Sequence, residues 1–324
     1  MRQAYHFLKT FIFAILAQLV FVALFSVISF SFMYKTHSLK FPHIITIAFF
    51  LFIISTIASG VYACLHAKSL NVTHIRKDSK FFQFATIFAA IMMLVFFVCD
   101  ATVTIVFSGL SAYFFFRVTK WILTLPLLAY FILQALPKRI GHTKIKIPSG
   151  AKIFTSICAI AWAVFGIFTI YFTSAPTTDF IKITQILTYA SIAVFFVFEG
   201  EFENVKSNHK TYLISAIVCS TFTFAFPFGV SIAKIIGRFS SASYAPAQPE
   251  LLVCVAIGLY AIAKVFAFIS TMHVVIENSK TDFRHGKSHK KFDNSPKKEA
   301  VVEEKAPASA EEPVQAQEST SVNE

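Results

Sequence analysis

Long apolar runs separated by short polar links make up the chain from residue 11 to residue 276. The runs are 11–33, 44–65, 81–107, 110–136, 153–172, 180–198, 212–236 and 251–276. A helix rises ~1.5 Å per residue and the hydrocarbon core of a bilayer is ~30 Å thick, so about 20 apolar residues cross it. The pattern predicts an all-α, polytopic integral membrane protein of about eight transmembrane helices in residues 1–276. A polar tail, 277–324, follows. Ser108-Gly109 is the one turn signal between the third and fourth runs, and Pro137 closes the fourth. Pro126 in the fourth run, and Pro227 with Gly229 in the seventh, are expected to break their helices.

The tail is basic at first and acidic from Glu299 onward. Its second block is dominated by Pro, Ala, Ser, Gln and Glu, holds too little apolar surface to bury a core, and is expected to be disordered. The tail is expected to solubilise the chain; alternatively its basic block, with Arg284, Lys287, Lys290 and Lys291, rests on anionic lipid headgroups, where each residue contributes ~1 kcal/mol.

Composition narrows the class. Hydrophobic residues are 56% of the chain, charged residues only 14%, and the mean hydropathy is +0.66. Soluble domains carry about 25% charged residues, so there is too little polar surface here to coat a water-facing globule. The formal charge of +12 does not indicate nucleic acid, because the basic residues lie in short links between spans. They cluster on alternate links: Arg76, Lys77 and Lys80 on one, Lys138, Arg139, Lys144 and Lys146 on another, and again after the last run. The intervening links are poorer, with Lys35, Lys40, Lys182 and Arg238. By the positive-inside rule this predicts an even number of spans with both termini cytoplasmic, and a cell membrane fits. The first run, 11–33, is too long for a signal-peptide core and is expected to remain as a mature helix.

The candidate chemistry is sparse. Five cysteines lie inside apolar runs without a CxxC, which predicts small buried thiols rather than disulfides or a metal site. No phosphate loop, nucleophile elbow, HExxH or carboxylate pair is present, so neither enzyme activity nor a cofactor is expected. Lys264 stands out in the last run, because a central lysine costs ~2.5–3.5 kcal/mol on insertion scales. Tyr260, Ala261, Ala267 and Thr271 share its helix face, while Leu259, Ile262, Phe266 and Ile269 lie opposite, so Lys264 is expected to point into the bundle. Lys264, Tyr260 and Thr271 are therefore the candidate residues for binding a solute or ion. An imine between this lysine and a retinal-like aldehyde would need a carboxylate and pocket aromatics, and the sequence places neither beside it.

Asp100 and Arg117 lie at equal depth on either side of the Ser108-Gly109 turn and are expected to form a structural ion pair, with Lys120 one turn deeper. Glu199, Glu201 and Glu203 are expected at a solvated helix end. Two functions stay open. One is a small-solute or ion transporter or channel-like protein using Lys264 and the Pro227/Gly229 break. The other is a non-transporting scaffold or accessory subunit acting through its helix faces and tail. A polar cavity reaching Lys264 would favour the first; a packed bundle would favour the second.

Overall fold

A computed structural model describes residues 2–36, 43–66, 79–107, 112–135, 139–140, 143–144, 149–172, 180–205, 209–237 and 248–289. The helices are α1 (Arg2–Thr36), α2 (His43–His66), α3 (Lys80–Phe107), α4 (Ala112–Ala135), α5 (Ser149–Tyr171), α6 (Phe180–Val205), α7 (His209–Ala225), α8 (Pro227–Ile235) and α9 (Gln248–His289). Two short strands, β1 (Arg139–Ile140) and β2 (Thr143–Lys144), pair antiparallel between α4 and α5. Among the described residues, eight spans are long and apolar enough to cross a membrane, α7 and α8 together forming the seventh. The chain is thus a multi-pass, membrane-embedded helical protein.

Several helices outrun their apolar stretches. α1 begins at Arg2, α6 continues through Glu199 to Val205, and α9 continues past Ile276 to His289, into the segment assigned to the tail. Hydropathy marks where lipid contact ends, not where the hydrogen-bond ladder ends, and no proline follows Ile276 until Pro296. Lys290, Lys291 and the acidic block of the tail lie outside the described residues.

The two prolines behave differently. Pro126 sits inside α4, which is a single helix, so the break expected there is absent. The cost at Pro126 is one lost bond to the Ile122 carbonyl. At Pro227 the span does divide. Phe226 stays in the right-handed helical region but is pulled to φ −114 and ψ −67, Pro227 opens α8, and the Ser26 hydroxyl of α1 donates to the Ala225 carbonyl at the junction. Gly229 lies inside α8, where it lets α1 approach: a Cβ there would meet Ser26 and Phe30. α8 ends on Gly237, whose φ of +68 is the left-handed cap that glycine adopts without strain, its N–H bonding the Lys234 carbonyl at 3.0 Å.

Sequential helices pack as neighbours from α3 to α7, and α1 and α2 lie against α7, with α1 also on α8. α9 is the central element. Its side chains meet α3 (Phe81 with Phe266), α4 (Tyr130 with Tyr260) and α6 (Glu199 with Lys264), and its Gly258 carbonyl accepts from Ser220 of α7. An apolar crevice of about 20 Å³ separates it from α1 and α7, lined by Ile12, Leu19, Ile217 and Val265 among others. The register of these contacts makes α4, α6 and α9 parallel and α3 and α7 antiparallel to them, as an alternating bundle requires. Several hydroxyl side chains in the apolar interior bond within their own helices: Thr86, Thr188, Ser220 and Thr221 each donate to a carbonyl four residues back.

Candidate functional site

α9 carries two charged positions on one face, Glu250 in its first turn and Lys264 four turns later, ~21 Å apart along the axis. Each anchors a buried cluster with the same composition.

In the first cluster, the Lys264 ammonium lies 2.8 Å from Glu199 Oε1 of α6, both side chains being 1% exposed. The Tyr260 hydroxyl donates to the same oxygen at 2.7 Å, and the Tyr130 hydroxyl of α4 stands 3.2 Å from that of Tyr260. The ammonium also rests over the rings of Phe82 and Tyr260, 5.4 and 5.3 Å from their centroids. Such contacts stabilise a desolvated cation by up to ~2 kcal/mol. Phe131 and Phe195 pack around Tyr260. Glu199 Oε2 is buried with no hydrogen-bond partner among the described residues. Toward the end of the bundle at which α6 and α9 leave it, the cluster is closed by Phe202 stacked on Tyr212 at 4.7 Å, with Phe268 and His209 beside them.

In the second cluster, the Lys120 ammonium of α4 and the Tyr189 hydroxyl of α6 both reach Glu250 Oε1 at 2.5 Å, and they are 2.7 Å from each other. The rings of Phe96, Trp162 and Tyr189 surround the ammonium at 5.5, 5.2 and 4.6 Å. Trp162 is held in place by donating to Thr124 at 3.1 Å. Glu250 is 15% exposed and Lys120 3%, against 1% for both Lys264 and Glu199. Close by, Arg117 donates to Asp100 Oδ1 from both Nε and Nη2, at 3.1 and 2.6 Å. Trp121, stacked on Phe97 and bonded to its carbonyl at 2.9 Å, locks α3 to α4 at the same level.

The structure therefore sorts the residues singled out by sequence. Lys264 and Tyr260 come together, but the Thr271 hydroxyl donates to Ala267 within its own helix, 2.7 Å away. Arg117 sits with Asp100, whereas Lys120 turns to Glu250 on α9. Glu199 is not at a solvated helix end. The carboxylate and aromatic rings that the sequence did not place beside Lys264 are both there, the rings stacked on the ammonium itself.

Glu199, Glu250, Tyr189 and Tyr130 were missed because the two carboxylates sit near the ends of apolar runs, where hydropathy points to water. The near-four-turn spacing of Glu250 and Lys264 was the available signal. Among the described residues no group of three or more His, Cys, Asp or Glu side chains is placed to hold a metal ion.

No family model matches the chain, and no curated protein or solved structure is similar to it.

Each buried cation in the two clusters has a carboxylate at salt-bridge distance. That balance is what a low-dielectric interior demands, since an isolated ion there is penalised by several kcal/mol. It does not by itself explain why the charges are present, because well-packed apolar side chains of similar volume often stabilise as much as a buried ion pair does.

Proposed function

We propose that this protein is a transporter or channel-like protein for a small solute or ion, with Lys264 in its core. The observation that carries this is the stacking of two lysine–tyrosine–carboxylate clusters on one face of α9, one partly exposed and one sealed. Charges inside a span mark ion and solute routes because they are expensive to insert, and two matched sets at successive depths supply stations along one path. Catalysis is not part of the proposal. A non-transporting scaffold is the second reading, and the observation favouring it is the closure of aromatic rings over a lysine only 1% exposed. The transport reading treats that packing as the occluded form of the site.

The test is ion flux in liposomes carrying the purified protein, followed with an internal pH dye across a panel of external sodium and potassium salts. Wild type should support flux with at least one salt, and Lys264→Met should lower it at least tenfold with equal protein inserted. Equal flux from wild type, Lys264→Met and empty liposomes would leave the scaffold reading.

We also propose that both termini face the cytoplasm of a cell with this protein in its plasma membrane. Arg284 and Lys287, in the basic stretch of sequence after the last apolar run, would contact anionic headgroups, and salt-sensitive binding of the protein to anionic vesicles tests that contact. The basic links support the orientation. A single cysteine introduced between residues 238 and 247 should react with an impermeant thiol reagent on intact cells, and one at the C-terminus should not. Labelling at the C-terminus from outside would reverse the assignment.

A further inference from the structure

The two clusters share more than composition. In each, a lysine ammonium and a tyrosine hydroxyl converge on one carboxylate oxygen: Lys264 and Tyr260 on Glu199 Oε1, Lys120 and Tyr189 on Glu250 Oε1. The helices supplying these groups differ. Glu199 comes from α6 with its lysine on α9, whereas Glu250 comes from α9 with its lysine on α4. The common feature is thus a donor pair, cation plus hydroxyl, aimed at one anionic oxygen inside an aromatic shell. A donor pair of that kind receives any small monoanion, and in this conformation the chain's own carboxylate fills it.

Glu199 has a second property. Its Oε2 is fully buried and unpartnered among the described residues, although Oε1 accepts the Tyr260 hydrogen bond and pairs with the Lys264 ammonium. A desolvated carboxylate oxygen without a donor is costly, and a proton on that oxygen removes the charge. Among the described residues, the charged and titratable groups facing Glu199 are Lys264 and Tyr260 on α9, Tyr130 on α4 through Tyr260, and Cys219 on α7, with Tyr212 beyond Phe195. Glu201 lies exposed one step along α6, and His209 lies beyond Phe202. α3 presents the Phe82 ring to Lys264. When Glu199 takes a proton, the Lys264–Glu199 ion pair loses its negative member.

We infer that the Lys264–Glu199 pair is the empty form of a site that binds one proton together with one small monoanion. The inference rests on the transport reading and names its substrate class. The proton comes from water and forms an O–H bond on Glu199, whose negative charge disappears. Lys264 keeps its three protons. The monoanion takes the place of Glu199 Oε1 between the Lys264 ammonium and the Tyr260 hydroxyl. Net charge at the buried site is zero before, one negative and one positive, and zero after, one positive and one negative, so neither state leaves an uncompensated ion in the low-dielectric core. The Glu250 cluster, 15% exposed and built from the same donor pair, is the station at which the anion first meets the bundle.

The test is equilibrium binding to the purified full chain in detergent, so that it does not depend on flux. Chloride, nitrate and acetate are the probes, sulfate is the dianion control, and proton uptake is read with a pH dye in weak buffer. At least one monoanion should bind with uptake of about one proton, its apparent Kd rising about tenfold per pH unit where Glu199 is ionised in the empty site. Glu199→Gln should bind the same anion with no proton uptake and no pH dependence, and Lys264→Met should not bind it. Binding of none of the three monoanions, binding by wild type without proton uptake, or unchanged uptake in Glu199→Gln would overturn the inference, and the first two need no variant. Proton-linked binding without any liposome flux would remove transport and leave this site standing.

Discussion

Lys264→Met should destabilise the protein by about 3–5 kcal/mol, and adding Glu199→Gln should recover most of that loss. The single change removes the ammonium 2.8 Å from Glu199 Oε1 and leaves a carboxylate that is 1% exposed, its one donor among the described residues being the Tyr260 hydroxyl. Breaking a buried ion pair by deleting one partner is far more costly than replacing both, because the surviving charge has no compensation. Methionine fills nearly the volume of the lysine stem and suits the rings of Phe82 and Tyr260, so packing is not the source of the effect. Thermal unfolding in detergent, with wild type, both single variants and the double variant compared as a cycle, measures the coupling. Additive losses would mean that the two side chains do not depend on each other, and both the transport reading and the proton–monoanion site would lose their foundation.

Gly229→Ala should also lower stability sharply, by about 2–3 kcal/mol. A Cβ at Gly229 would stand 2.8 Å from Phe30 Cδ2 and 2.9 Å from the Ser26 carbonyl carbon, and closer still to Ser26 Oγ. The Ser26 carbon is backbone and cannot rotate away, so α1 has to retreat from α8. Retreat strands the Ala225 carbonyl at the break before Pro227, because its hydrogen bond comes from the Ser26 hydroxyl. Overpacking and a lost buried hydrogen bond then add. Gly150→Ala is the control, since no heavy atom lies within 4 Å of a Cβ there. If Gly229→Ala unfolds at the wild-type temperature while Gly150→Ala does the same, the close crossing of α1 and α8 carries no weight in the fold.

These two positions show how differently the chain revealed itself. Pro227 and Gly229 were legible as a weak point in the seventh span, but nothing in the sequence said that α1 would be the neighbour filling the gap or that Ser26 would cap it. Lys264 was legible as an interior residue because its own helix has a small, partly polar face and a bulky opposite one. Its partner was not. Glu199 follows the apolar run 180–198 and belongs to an acidic stretch, and such a stretch reads as water-facing until α6 is seen to continue as a helix among α4, α7 and α9.

The sequence alone determined the class of molecule, the number of spans and the candidate interior lysine. Those properties follow from a one-dimensional rule: lipid accepts only runs of apolar residues about 20 long, and the chain is written in such runs. The tertiary structure alone decided that α9 is central, that Lys120 belongs with Glu250 and not with Asp100, and that two lysine–tyrosine–carboxylate clusters repeat along one helix. Which carboxylate meets which lysine depends on how each helix is rotated about its axis and which helices lie beside it. Hydropathy is blind to both, because a charge near the end of a run has the same average whether it faces solvent or the core.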